Sequence, residues 1–146
     1  MHTDTIFVLI IIVSIYLDLK DKQTQKCMSQ ITKQQKAKLV GILVLHHILN
    51  IFANFGYLLS NRYLLSLYVF APFAMIAYWG MNGDRCDITV WANDICGWEG
   101  DKYFNDLFNI VGLKKTDWWF KWGHKAYSVV GICIALYRLY NQKGIS

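Results

Sequence analysis

The chain has 146 residues, room for one domain, of which 55% are apolar and only 17% charged. A soluble domain reaches that balance only by burying several helices completely, which so short a chain can hardly do, so the composition points to a membrane protein. The net charge of +5 does not indicate nucleic-acid binding, because six of the fifteen basic residues (Lys20, Lys22, Lys26, Lys33, Lys36, Lys38) lie between two apolar runs, the usual place for positive-inside lysines.

The first apolar run, Thr5–Leu17, has thirteen residues. That is short of the roughly 20 that cross a hydrocarbon core, and flanking residues extend the expected span to about 5–19. No basic stretch precedes the run and no small-x-small cleavage site follows it, which favours an uncleaved anchor over a signal peptide. An interfacial or buried helix is the remaining reading. A basic linker, 20–38, follows.

Leu39–Leu59 gives twenty-one residues without a formal charge and Tyr63–Met81 nineteen. Only Ser60-Asn61-Arg62 separates them, so spans at 39–59 and 63–81 must form an antiparallel helical hairpin. Pro72 removes a backbone donor inside the later span and predicts a kink there.

The segment 82–119 is expected to be a structured loop, since a loop this long is uncommon without structure or function of its own. Asn82-Gly83 offers a turn out of the membrane. Thr89 is placed to cap a helical turn over Trp91-Ala92-Asn93-Asp94, which Gly97 and Gly100 would end. Phe104, Leu107, Phe108 and Val111 then recur at helical spacing within Tyr103–Val111, which predicts a short amphipathic helix. Trp91, Trp98, Phe104 and Phe108 are the expected partner-contact residues, because exposed aromatic side chains are favoured at binding hot spots. The last span, 120–140, is preceded by the aromatic belt Trp118-Trp119-Phe120-Lys121-Trp122.

Loop charges set the orientation. The segments 18–38 and 82–125 carry six Lys/Arg each, against Arg62, Arg138 and Lys143 elsewhere. They should therefore share the cytosolic face, with the 60–62 turn opposite. The expected fold is all-α: one membrane domain over 1–146, a four-helix transmembrane bundle with a long structured loop.

Few residues invite chemistry. Cys86 and Cys96 lie in the same loop, and a Cys86–Cys96 disulfide would staple it. Two free structural thiols, or metal ligation or redox chemistry, are the open alternatives. A bridge on the cytosolic face meets the objection that disulfides rarely persist there, which a virus with its own thiol oxidase would remove. Cys27 reads as an exposed thiol and Cys133 as a small apolar residue. His46 or His47 forms a polar stripe with Asn50, Asn54 and Tyr57, and His124, Tyr127, Ser128 and Gly131 form a comparable face on the last span. Polar groups are costly in lipid, so the two faces should pack together, with amides bonding across the helices. Axial haem or metal ligation by His46 or His47 with His124, or an ion path along the stripe, are the sharper readings. No acyl-transfer triad or intramembrane carboxylate is evident, so no catalytic residue, metal or cofactor is assigned.

The paired His46-His47, the Asn82-Gly83 turn and Cys86-x-Ile88-Thr89 with Asn93 resemble two sets of proteins. One is a bacterial family of uncharacterised small membrane proteins with a Cys-Pro-Leu-Thr-x-x-Glu-Asn signature, from which this chain departs at Asp87 and Ala92. The other comprises small multispan membrane proteins of large DNA viruses, which the Ile/Asn/Lys-rich composition matches better. The resemblance implies a membrane-embedded four-helix unit and, in the viral case, a protein of the virion's internal membrane, derived from host endomembranes. The expected function is structural: a minor virion component linking that membrane to the capsid shell. Its partners would be the lipid bilayer and other membrane or capsid proteins of a larger assembly, with no nucleic acid. The alternative is an accessory subunit or a redox or metal-binding membrane enzyme using Cys86, Cys96 and the histidines.

Overall fold

In chain order, the first element of the computed structural model is α1, Thr3–Lys20, whose eighteen residues extend about 27 Å. The structure describes residues 3–82, 86–98 and 122–141, and every regular element among them is helical. The expected amphipathic helix with Phe104 and Phe108, the aromatic belt before Trp122 and the role of Gly100 lie outside the described residues.

The helix outruns the apolar run that predicted it. Asp4, in its first turn, accepts a hydrogen bond from the Ser60 amide at 2.7 Å. Asp18, near its other end, meets His47. α1 is therefore antiparallel to α3, Lys33–Phe55, and runs beside it from His47 towards Ser60.

The expected basic linker is a second helix plus the start of the next. α2, Lys22–Gln30, begins at Asp21, whose carboxylate accepts from the amides of Gln23 (2.8 Å) and Thr24 (3.4 Å). α3 opens with a capping box: the Thr32 hydroxyl accepts from the Gln35 amide, while the Gln35 side chain accepts from the Thr32 amide at 3.0 Å. These reciprocal bonds satisfy amides that a helix start leaves unpaired, so helix begins six residues before the uncharged run. The lysines in between are helical rather than extended.

A 3-10 turn, Gly56–Leu58, finishes α3, and Asn61 caps α4, Arg62–Met81, by accepting from the amides of Tyr63 and Leu64. The hairpin is as expected, and the helix is one element through a buried Pro72. Lys33–Leu58 and α4 are long and apolar enough to cross a membrane, judged by length and composition. α5, Asp87–Cys96, ends at Gly97, whose φ of 65° is a left-handed conformation that glycine adopts without a Cβ penalty. Thr89 sits within α5 rather than capping it, and Cys86 holds the N-cap position. The last described helix is α6, His124–Asn141.

Two apolar clusters flank α3. Near its start, Cys27, Leu39, Leu43 and Ala92 gather from α2, α3 and α5. Near its end, Leu65 and Tyr68 of α4 meet Ile132 and Ala135 of α6. There the Tyr68 ring fills a slot between two glycines. A Cβ on Gly56 would lie 2.4 Å from the ring and one on Gly131 2.3 Å from its hydroxyl, so neither position admits a side chain without movement. The outward surfaces stay apolar, with Phe70 71%, Tyr137 69% and Tyr16 58% exposed.

Candidate functional site

The chemistry-bearing side chains gather where α2 and α5 cover the first half of α3. Cys27 and Cys96 are joined by a disulfide with their Cα atoms 5.4 Å apart. This corrects the expected Cys86–Cys96 bridge. Cys86 precedes α5 and Cys96 closes it, so the ten residues of that helix hold them about 15 Å apart, beyond disulfide reach. Cys86 is a free thiol, and Cys27, expected to be exposed, is 2% exposed. Cys133 is also free and faces outward. The bridge closes 69 residues of chain, worth about 4 kcal/mol in the chain-entropy model. It also brings α2 and the end of α5 together at one end of α3.

The two described tryptophans of that loop play different parts. Trp98 packs against the cluster around the disulfide, while Trp91 is 52% exposed. Only Trp91 presents its ring outward as the sequence suggested for both.

Beneath this covering lies a polar cluster that the sequence reading missed. Ser14 and Asp18 stand one turn apart on α1, and His47 of α3 reaches both. The Ser14 hydroxyl is 2.8 Å from His47 Nδ1, and His47 Nε2 is 2.9 Å from the Asp18 carboxylate. The other Asp18 oxygen accepts from the Thr24 hydroxyl of α2 at 3.1 Å. With the Nε2 proton directed at the carboxylate, Nδ1 accepts from Ser14. Ser14, Asp18 and Thr24 are fully buried and His47 is 1% exposed.

A Ser-His-Asp set suggests acyl transfer, but a nucleophile must be reachable by its substrate, and this serine is sealed between helices. The set instead fastens α1 and α2 to α3, giving buried polar groups the partners they require. Asp18 also corrects the expectation that carboxylates occur only outside the apolar helices. The available signal was an Asp and a Ser at i and i+4 on an otherwise apolar helix, a pair that must face one polar partner.

The expected polar stripe is divided among different neighbours. His47 turns to α1 and not to α6. Asn54 donates within α3, to the Asn50 carbonyl at 2.7 Å, rather than to another helix. Tyrosines make the cross-links instead: Tyr127 of α6 donates to the Asn54 carbonyl (2.8 Å), leaving Tyr57 to donate to Tyr127 (3.0 Å). The Arg138 guanidinium reaches the Tyr57 carbonyl. Ser128 bonds the His124 carbonyl within α6, and the His124 ring meets Trp79 edge-on at 5.6 Å. Gly131 does allow close approach, though to Tyr68 of α4. Among the described residues, no three His, Cys, Asp or Glu side chains gather as a metal site would need.

His46 and Asn50 instead line a groove of about 240 Å³ between α3, α4 and α5. Tyr78 and Trp79 contribute from α4, and Cys86, Asp87 and Trp91 from α5 and its cap. Asp87 accepts from the Tyr78 hydroxyl and, at 2.8 Å, from the Asn82 amide. These bonds, Tyr78's foremost, hold its carboxyl below the usual range. Position in the first turn of α5 favours the same negative charge.

No protein-family model matches the sequence, and no curated protein or solved structure is significantly similar to it.

Proposed function

We propose that the protein is a multi-pass membrane scaffold that presents its disulfide-stapled end to partner proteins. Four long helices would form the membrane unit: α1, α3, α4 and α6. Support for this comes from the two helices long and apolar enough to cross a membrane and from the large apolar side chains that the others also turn outward. The observation that carries the scaffolding role is the Cys27–Cys96 bridge. It locks a lysine-bearing helix to α5 while leaving the Trp91 ring exposed, a rigid surface of basic and aromatic character.

The setting that the viral resemblance favours is the internal membrane of a large virion, with the stapled end linking that membrane to the capsid shell. Such a virus would also supply the oxidant that a disulfide on a basic, cytosol-derived face requires. A redox enzyme built on Cys86 and Cys96 fits less well, since Cys96 is committed to Cys27 and lies a helix length from Cys86.

Cross-linking mass spectrometry on intact particles or native membranes tests the reading. Lys22 and Lys26 should cross-link to a second protein, and they should lose those links in a Cys27→Ser/Cys96→Ser variant that still inserts. Links confined to this chain, or a stoichiometric metal or haem in purified material, would refute the scaffold.

A further inference from the structure

The groove between α3, α4 and α5 combines features that a scaffold does not need. Its aliphatic part comes from Leu49, Met75 and Ile88, and three aromatic rings, Tyr78, Trp79 and Trp91, share the lining. Among the described lining residues the only formal charge is the carboxylate of Asp87. A carboxylate fixed beside several aromatic faces is the chemistry that recognises an organic cation. The ring quadrupoles attract a weakly hydrated ammonium, and the carboxylate supplies the opposite charge. A strongly hydrated metal ion gains little from such walls, and an anion would be repelled.

The size and the aliphatic portion narrow the class further. About 240 Å³ lies below the roughly 300–1,000 Å³ of drug-sized sites, which suits a headgroup with a few methylenes. The groove lies at the C-terminal end of α4, beside the stapled end, where Tyr and Trp of a membrane protein occupy the headgroup level. We infer that the groove binds the quaternary-ammonium headgroup of a membrane lipid, with Trp91, Trp79 and Tyr78 around the cation, Asp87 opposing its charge, and the aliphatic residues taking the first methylenes. The lipid source of the ligand rests on the membrane reading above; the recognition of the cation does not.

The test titrates the full-length protein in a neutral maltoside detergent with 2-(decyloxy)ethyltrimethylammonium, with its uncharged analogue decyl 3,3-dimethylbutyl ether, and with free choline. Calorimetry gives the affinities, and non-reducing mass spectrometry verifies the Cys27–Cys96 bridge in each variant. The charged amphiphile should bind saturably and about tenfold or more tighter than its neutral analogue. Asp87→Asn should remove most of that preference and leave the neutral analogue unaffected. Because Asp87 also bonds Tyr78 and Asn82, Trp91→Leu, at an exposed ring, is the second variant and should weaken the charged probe several-fold. Equal affinity for charged and neutral probes, or unchanged binding in both bridged variants, would overturn the site. Free choline binding as tightly as the decyl compound would show that the aliphatic residues are not used, and would overturn the assignment to a lipid. These outcomes are independent of whether the protein cross-links to a partner.

Discussion

From its start to just past its middle, at His47, α3 and its neighbours are held by polar and covalent links: the Ser14–His47–Asp18 cluster to α1, Thr24 to Asp18, and Cys27 to Cys96 across to α5. Around its last turns the links are shape, aromatic edges and hydrogen bonds from α6 to backbone carbonyls. The Tyr68 ring sits between Gly56 and Gly131, and Phe52 and Tyr57 meet it edge-on at 5.8 and 6.1 Å. The difference follows from what each half must join. α1, α4 and α6 bring long apolar surfaces, whereas α2 is nine mostly polar residues that bury only Thr24 and Cys27. So short and polar a helix has little apolar area to contribute, and a hydrogen bond and a disulfide replace it. The second half has no covalent link among the described residues: small residues let ring and backbone approach closely, and Tyr127 and Arg138 of α6 donate to the Asn54 and Tyr57 carbonyls.

The contrast can be broken most severely at His47. His47→Leu leaves the Asp18 carboxylate buried without its imidazole, and such a loss costs about 3–5 kcal/mol. Thermal unfolding in detergent should show it. The triple replacement Ser14→Ala/Asp18→Leu/His47→Leu should recover most of the loss, since well-packed apolar groups can replace a buried ion pair. A His47→Leu protein as stable as the parent would mean that the cluster is open to water.

Removing the staple comes next. Cys27→Ser/Cys96→Ser should cost about 2–4 kcal/mol and should loosen α2 and α5 selectively, leaving α4 and α6 protected in hydrogen exchange. Uniform loosening would deny that the two halves are separately held. Non-reduced peptides should show Cys27 linked to Cys96 and alkylated Cys86.

On the aromatic side, Gly131→Ala should destabilise the α4–α6 contact by about 1–3 kcal/mol, because its Cβ has to displace the Tyr68 hydroxyl. The smallest effect has the opposite sign. The buried Tyr68 hydroxyl has no hydrogen-bond partner among the described residues, so Tyr68→Phe should raise the unfolding temperature, by about 1 kcal/mol of stability. Loss of stability instead would show that this hydroxyl is bonded. In the double variant Gly131→Ala/Tyr68→Phe the alanine should be less costly, which would locate the clash at the hydroxyl.

Much of this architecture was readable along the chain, because its signals are local. Apolar runs marked α3, α4 and α6, and the three-residue turn at 60–62 allowed only a hairpin. Gly97 ended α5 as a glycine after helical residues should. Thr32 with Gln35 was equally local, a capping box at the start of α3 that outweighs the polarity of the lysines following it.

Which cysteine would pair with Cys96 was not a local matter. Cys86 is near in sequence but held at the far end of a helix, while Cys27 arrives from 69 residues away because α2 folds back over α3. The sequence pointed to His46 or His47 meeting polar company on an apolar helix, without saying which. Adjacent residues on a helix point about 100° apart, so only the packing sent one to Ser14 and Asp18 and left the other lining a groove. The apolar cores of the helices and the hairpin thus followed from residues within a turn or two of each other. Partners did not, because they depend on which faces meet once the helices are side by side.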